Sequence, residues 1–190
     1  MPHPVPYRPY FKAGADLFDC NGKSFIVVTD YISNFPEVGQ LQSTSSKAVI
    51  SYLKTVFARH SIPCELFTDN GSQFSSCEFA SFAKEWGFHH TTSSPTYPKS
   101  NGLAESSVKT VKGLMKKAVD GDDFQKSLLI YRSAPLQNSL SPAQMLMGRR
   151  VCSKLPISED LLTPRSANKV WKEKKRQKEK QKRLHDRTAK

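Results

Sequence analysis

The sequence predicts an α/β fold: a mixed sheet of five strands flanked by helices, followed by a basic tail. Three observations carry this. Three short strand-like runs in residues 13–41 are joined by tight turns, the pattern of an antiparallel meander. Helix and strand patterns then alternate as far as residue 93, and a strand reached through a helical crossover lies parallel to its sheet neighbour. From residue 103 to residue 148 every pattern is helical.

Residues 1–12 hold four prolines and no periodicity, and read as a leader. A first strand runs from Ala13 to about Asp19. Asn21-Gly22-Lys23 is a hairpin-type turn, because Asn-Gly readily takes positive φ. Phe25-Ile26-Val27-Val28 marks a buried second strand over 24–31. Ser33-Asn34 turns again, and Pro36 to Leu41 makes a third, shorter strand. Thr44 to His60 is a helix that Ser43, Thr44 or Ser45 can cap, with Val49, Leu53, Val56 and Phe57 on one face.

Ile62-Pro63 ends that helix, and Cys64 to Thr68 is a fourth strand. Ser75 or Ser76 caps a second helix, whose Phe79, Phe82, Ala83 and Trp86 face inward and which Gly87 stops. Phe88 to Ser93 is a fifth strand. A proline-containing loop over 94–102 leads to a long helix over 103–119 and another over 123–134. Residues 141–148 form a short helix with proline in its first turn. Residues 149–166 are irregular. The organisation expected is a leader (1–12), a core with its following helices (13–150), a linker (151–164) and a basic tail (165–190), the tail helical or disordered.

Net charge is +12 but uneven. From Arg165 to Lys190 there are 12 Lys/Arg against 3 Asp/Glu, a net of +9; the other 164 residues carry 17 against 14, a net of +3. The basic run suits a polyanion, above all nucleic acid. Cys20, Cys64, Cys77 and Cys152 form no Cys-x-x-Cys and have no His at zinc-finger spacing. They read as reduced thiols, and with no signal peptide or apolar span the expected location is nuclear or cytoplasmic.

Three carboxylates stand out. Asp69 ends the fourth strand in Thr68-Asp69-Asn70-Gly71, a sharp turn in which its side chain can also satisfy backbone donors. Thirty-five residues separate it from Glu105, at the start of the long helix. Asp16 lies in the first strand, on the same face as Phe18; strand alternation alone does not choose it over Asp30. Such carboxylates could converge on divalent metal, because Mg²⁺ takes hard oxygen ligands and two ions ~4 Å apart assist phosphodiester cleavage. Lys109 and Lys112 share a helix face with Glu105 and could meet phosphates beside the cut; equally, Glu105 and Lys109 could be an ordinary i,i+4 pair.

These words resemble the catalytic core of retroviral-type integrases, in particular those of gypsy-like LTR retrotransposons. Ala15-Asp16-Leu17-Phe18 with Val28-Thr29-Asp30-Tyr31 resembles the first signature. Phe67-Thr68-Asp69-Asn70-Gly71-Ser72-Gln73-Phe74 resembles the second, and Pro98-Lys99-Ser100-Asn101-Gly102-Leu103-Ala104-Glu105 the third. Ser141-Pro142-Ala143-Gln144-Met145-Leu146-Met147-Gly148 is similar to the segment that follows such cores. The resemblance covers residues 7–155 and implies an RNase H-like fold. It implies Asp16, Asp69 and Glu105 as catalytic metal ligands for Mg²⁺ or Mn²⁺, two ions in all, and leaves Asp30 a structural role. It also implies a mobile active-site loop over 94–102, with Lys99, Asn101, Lys109 and Lys112 as DNA contacts. Homo-oligomers are the family's habit.

The chain departs from that pattern in three places. No His/Cys zinc motif precedes Asp16, the basic tail stands where a folded DNA-binding domain is common, and Thr96-Tyr97 and Lys99 replace the commoner loop residues. The expected activity is metal-dependent cleavage and strand transfer of DNA by an integrase core detached from its polyprotein, intact or degenerate. The alternative is a non-catalytic, domesticated nucleic-acid-binding protein that keeps the fold.

Overall fold

The computed structural model describes residues 7–93, 102–118, 121–154 and 156–164, with Lys172, Lys175, Arg176 and Glu179 of the tail. Five strands form one sheet: β1 (Lys12–Cys20), β2 (Lys23–Asp30), β3 (Pro36–Leu41), β4 (Glu65–Thr68) and β5 (His89–Thr92). Their order across the sheet is β3-β2-β1-β4-β5. The first three pair antiparallel, and β4 pairs parallel with both β1 and β5. The helices are α1 (Ser46–His60), α2 (Cys77–Trp86), α3 (Gly102–Lys117), α4 (Gly121–Ser133) and α5 (Pro142–Met147). Every strand and helix expected from the sequence is present, and none of the described helices is long and apolar enough to cross a membrane.

Local chemistry sets the boundaries. Asn21 and Gly22 both take positive φ, 51° and 70°, as a two-residue hairpin turn requires. Of the three candidate caps for α1, Ser45 serves: its hydroxyl accepts from the Ala48 N–H, so the helix starts at Ser46 rather than Thr44. Ser76 caps α2, and Gly87 closes it in the left-handed region. In α5, Ser141 and Gln144 form a reciprocal capping box. The stretch expected to be irregular contains one 3-10 turn, Glu159–Leu161. The four tail residues described have helical backbone; the rest of the tail expectation lies outside the described residues.

The sheet is covered on both faces. On one, Ala13, Ala15, Ile26, Val28 and Leu66 pack with Val49, Leu53, Val56 and Phe57 of α1 and Phe79, Phe82 and Ala83 of α2. On the other, Phe18 and Val27 pack with Val111 of α3, flanked by Val108, Met115 and Phe124. Strand alternation divides β1 accordingly. Ala13, Ala15 and Leu17 face α1 and α2, while Asp16 and Phe18 face α3.

Asp30 is fully buried. Its Oδ1 accepts from the Tyr10 N–H at 2.7 Å, and its Oδ2 from the Ser33 N–H and hydroxyl at 2.8 and 2.6 Å. It pins the β2–β3 turn and the segment before β1. Glu37 of β3 is a second structural hub. Its carboxylate lies 2.6 Å from His60 Nε2 and 3.4 Å from both Arg59 and Arg132. Arg132 also donates to the Pro36 carbonyl at 2.7 Å and lies over the Phe35 ring. The end of α1 and the end of α4 are thereby tied to one edge strand.

Candidate active site

The parallel β1–β4 ladder places two of the three carboxylates. Gly14 pairs with Phe67. Continuing that register by two residues on each strand brings Asp16 level with Asp69. Side chains alternate, so both carboxylates project from the face that α3 covers. α3 lies across β1 and β2 on that face, with Ala104 and Val111 buried beneath it. Glu105, next to Ala104 in the first turn, is exposed at the same end.

The electrostatics report the convergence. The Asp16 carboxyl is pushed up to about 6: burial contributes most, the Asp69 charge next, and the Glu105 charge also raises it. A hydrogen bond from the Leu17 backbone and the charge of Lys112 act in the opposite direction. Asp16 is therefore repelled by both Asp69 and Glu105 across one end of the sheet. The Lys112 ammonium sits 5.5 Å from the centre of the Phe18 ring, held on that aromatic face. Lys109 is exposed one turn nearer Glu105. No Glu105–Lys109 ion pair occurs among the described ion pairs. The ordinary i,i+4 alternative is thus not formed.

Asp69 does serve its turn. Its Oδ1 accepts from the Gly71 N–H at 3.2 Å, the local bond that Thr-Asp-Asn-Gly suggested, and Phe74 N–H closes the next turn on the Gly71 carbonyl at 2.9 Å. That leaves Oδ2 without a hydrogen-bond partner among the described residues. Behind it, Thr68 is fully buried, with its Oγ 2.9 Å from Nε2 of His90 on β5. Burial lowers the His90 pKa, so its imidazole stays neutral at neutral pH. The sequence offered no signal for this contact, because 22 residues separate the pair and each is ordinary in a strand. The Phe18 seat of Lys112 was equally hidden. Lys99, Asn101 and loop residues 94–101 lie outside the described residues.

The donor set suits a hard divalent cation: carboxylate oxygens without sulfur or imidazole, under a mutual repulsion that a cation relieves. Among the described residues, however, no three His, Cys, Asp or Glu side chains are drawn together closely enough to hold a metal ion outright.

Comparison with known proteins gives the same architecture. Residues 12–98 match the model of the integrase core domain. An uncharacterized Caenorhabditis elegans protein, K02A2.6, is 34% identical over 164 residues, 82% of this chain and 13% of that protein. The Gag-Pol polyprotein of walleye dermal sarcoma virus is 27% identical over 157 residues, 77% of this chain and 9% of the polyprotein. The chain thus spans about a tenth of the length of these relatives.

Among solved structures, a chain of the simian T-cell lymphotropic virus intasome in complex with PP2A regulatory subunit B56 gamma superposes with a TM-score of 0.68 at 21% identity. That match covers 85% of this chain and 63% of the other. The HTLV-2 integrase catalytic core domain in complex with magnesium gives a TM-score of 0.62 at 20% identity, over 73% and 97%. The shared fold is the RNase H-like one of integrase catalytic cores. The likeness to the integrase core domain family thus rests on residues 12–98, the part that carries the five strands.

Proposed function

We infer that this chain is a metal-dependent polynucleotidyl transferase core that cuts and joins DNA strands. The observation that carries the reading is the raised Asp16 carboxyl, which senses both Asp69 and Glu105 at one end of the sheet. Asp16, Asp69 and Glu105 would hold Mg²⁺ or Mn²⁺. Bound there, two such ions supply activation of the attacking oxygen and stabilisation of the leaving one.

The chain's own residues do the rest. Gly71 anchors one Asp69 oxygen and leaves the second for the cation. Lys112, seated on Phe18, offers its ammonium to a phosphate beside the carboxylates. Lys109 extends the cationic face along α3, and Lys99 and Asn101 follow as DNA contacts from the family resemblance. The reading extends to assembly as a homo-oligomer on DNA, supported by the intasome and the trimeric form among the solved neighbours. The test is Mn²⁺-dependent nicking of duplex DNA by the full chain, with Asp69→Asn as control. Nicking that is lost in the variant supports the reading, and equal activity in the variant contradicts it.

A second reading, DNA binding without catalysis, draws on the +9 charge of residues 165–190. It predicts DNA affinity that depends on the tail and not on Asp69.

A further inference from the structure

The strand that delivers Asp69 is only four residues long, and its ladder with β5 ends at Thr68 opposite Thr92. Asp69 therefore leaves the sheet with no ladder partner of its own. What holds its backbone is a side chain. The Thr68 hydroxyl donates to the Asp69 carbonyl at 2.7 Å. A hydroxyl has one proton, so the same oxygen can only accept at its 2.9 Å contact with His90, and Nε2 of His90 carries the ring proton.

His90 is itself held. Its ring centre lies 4.7 Å from that of Phe79 and 6.5 Å from that of Phe74, two of the largest fully buried side chains. Phe74 closes the turn that begins at Gly71, directly after the Asp69–Gly71 turn. The Thr68 carbonyl accepts from the Ser93 N–H at 2.9 Å, which fixes the last peptide of β4 against the end of β5. Leu66 and His90 are register partners, so their side chains share a face. Leu66 belongs to the core beneath α1 and α2, and Thr68, two residues on, shares that face. The Thr68–His90 contact thus backs Asp69 from the side of the sheet opposite the carboxylates.

On the reading of Asp69 as a cation ligand, we propose that Thr68 and His90 are positioning residues: a buried strut from β5 that fixes the Asp69 peptide and so aims its carboxylate. Neither touches the cation or the DNA. The strut fixes the peptide through the carbonyl, and Gly71 fixes the carboxylate through Oδ1. With both in place, Oδ2 has one direction to point. Loss of a group that orients a metal ligand typically lowers metal affinity about 10–100-fold.

The experiment titrates Mn²⁺ into the full chain by electron paramagnetic resonance, which counts bound ion without any DNA or turnover. Thr68→Val removes the hydroxyl at constant shape, and Thr68→Ser keeps it. His90→Leu removes the donor, and His90→Gln keeps an N–H at similar reach. The expected result is Mn²⁺ binding weakened about 10-fold or more in Thr68→Val and His90→Leu, with Thr68→Ser and His90→Gln within about threefold of the native chain. The unfolding midpoint without metal serves as the structural control for each variant. Should one pair fail to fold, the other still decides.

Native-like Mn²⁺ binding in folded Thr68→Val or His90→Leu, alongside loss of binding in Asp69→Asn, overturns the strut and leaves the site reading standing. Native-like binding in Asp69→Asn overturns the site reading and the strut with it.

Discussion

Asp16 on β1 stands level with Asp69 at the tip of β4, two residues beyond the Gly14–Phe67 pair of the parallel ladder. The charge of Lys112 offsets only part of the repulsion on Asp16. The Asp16 carboxyl is lifted to about 6, first by burial and next by Asp69. A pair of carboxylates arranged this way destabilises the fold it belongs to until a cation arrives.

Removing one of the charges should therefore stabilise the metal-free protein. The folded-state pKa of Asp16 lies above its unfolded value near 3.9. The folded chain thus binds the extra proton between about pH 4 and 6, and the penalty grows as pH rises through that window. With chelator at pH 7.5, Asp16→Asn should be more stable than the native chain by about 1 kcal/mol after solvent screening, a rise of roughly 2–4 °C in Tm. At pH 4 the gain should vanish. Thermal melts at both pH values check this, and a lower Tm at pH 7.5 would contradict it.

Glu37 should behave in the opposite sense. Its pKa is lowered: burial pushes it up, but the His60 hydrogen bond and the charges of Arg132 and Arg59 outweigh that. Its stabilisation is present above the unfolded value near 4.3 and is lost as pH falls through the lower folded value. Glu37→Gln should cost about 3 kcal/mol at pH 7, because it leaves two arginines without their buried partner. The difference from the native chain should close below about pH 4. Urea unfolding of both proteins across pH 3–8 measures it.

Gly39 packs its α-carbon directly against the Tyr52 ring, and an added Cβ would run into that ring. Gly39→Ala should destabilise by about 1–3 kcal/mol, the usual cost of overpacking. Tyr52→Leu should recover part of it in the double variant. Additive losses would show that the two residues do not meet.

Deleting residues 165–190 removes a net charge of +9. For every phosphate that the tail neutralises on duplex DNA, its removal should flatten the slope of log affinity against log salt by about 0.9. Filter binding of both chains between 50 and 200 mM salt (probe conditions, about the range in which such slopes are read) should show weaker, less salt-sensitive binding after deletion. An unchanged slope would exclude the tail from the DNA interface.

The sheet was legible because its signals are local. Phe25-Ile26-Val27-Val28 reads as a strand, Asn21-Gly22 as a turn and Gly87 as a stop from a handful of neighbouring residues. Placement of the carboxylates was partly legible: a crossover implied a parallel pair, but only the register puts Asp16 opposite Asp69. The choice of Asp16 over Asp30 needed the family resemblance, and the structure gives the physical complement, with both Asp30 oxygens taken up by Tyr10 and Ser33. Contacts between distant residues carried no sequence signal. Glu37 meets Arg132 across 95 positions, and Thr68 meets His90 across 22. Both rest on side chains that are unremarkable where they stand and acquire a partner only when the sheet forms.

The central claim is that Asp16, Asp69 and Glu105 act as one metal-dependent centre. The most direct measurement is a disintegration assay of the full chain on a branched DNA substrate with Mn²⁺. Asp69→Asn is the paired control, and its melting curve confirms that it is folded. The account predicts strand resolution by the native chain that chelator abolishes and Asp69→Asn lacks. Absence of activity in the well-folded native chain, or equal activity in the variant, would contradict it.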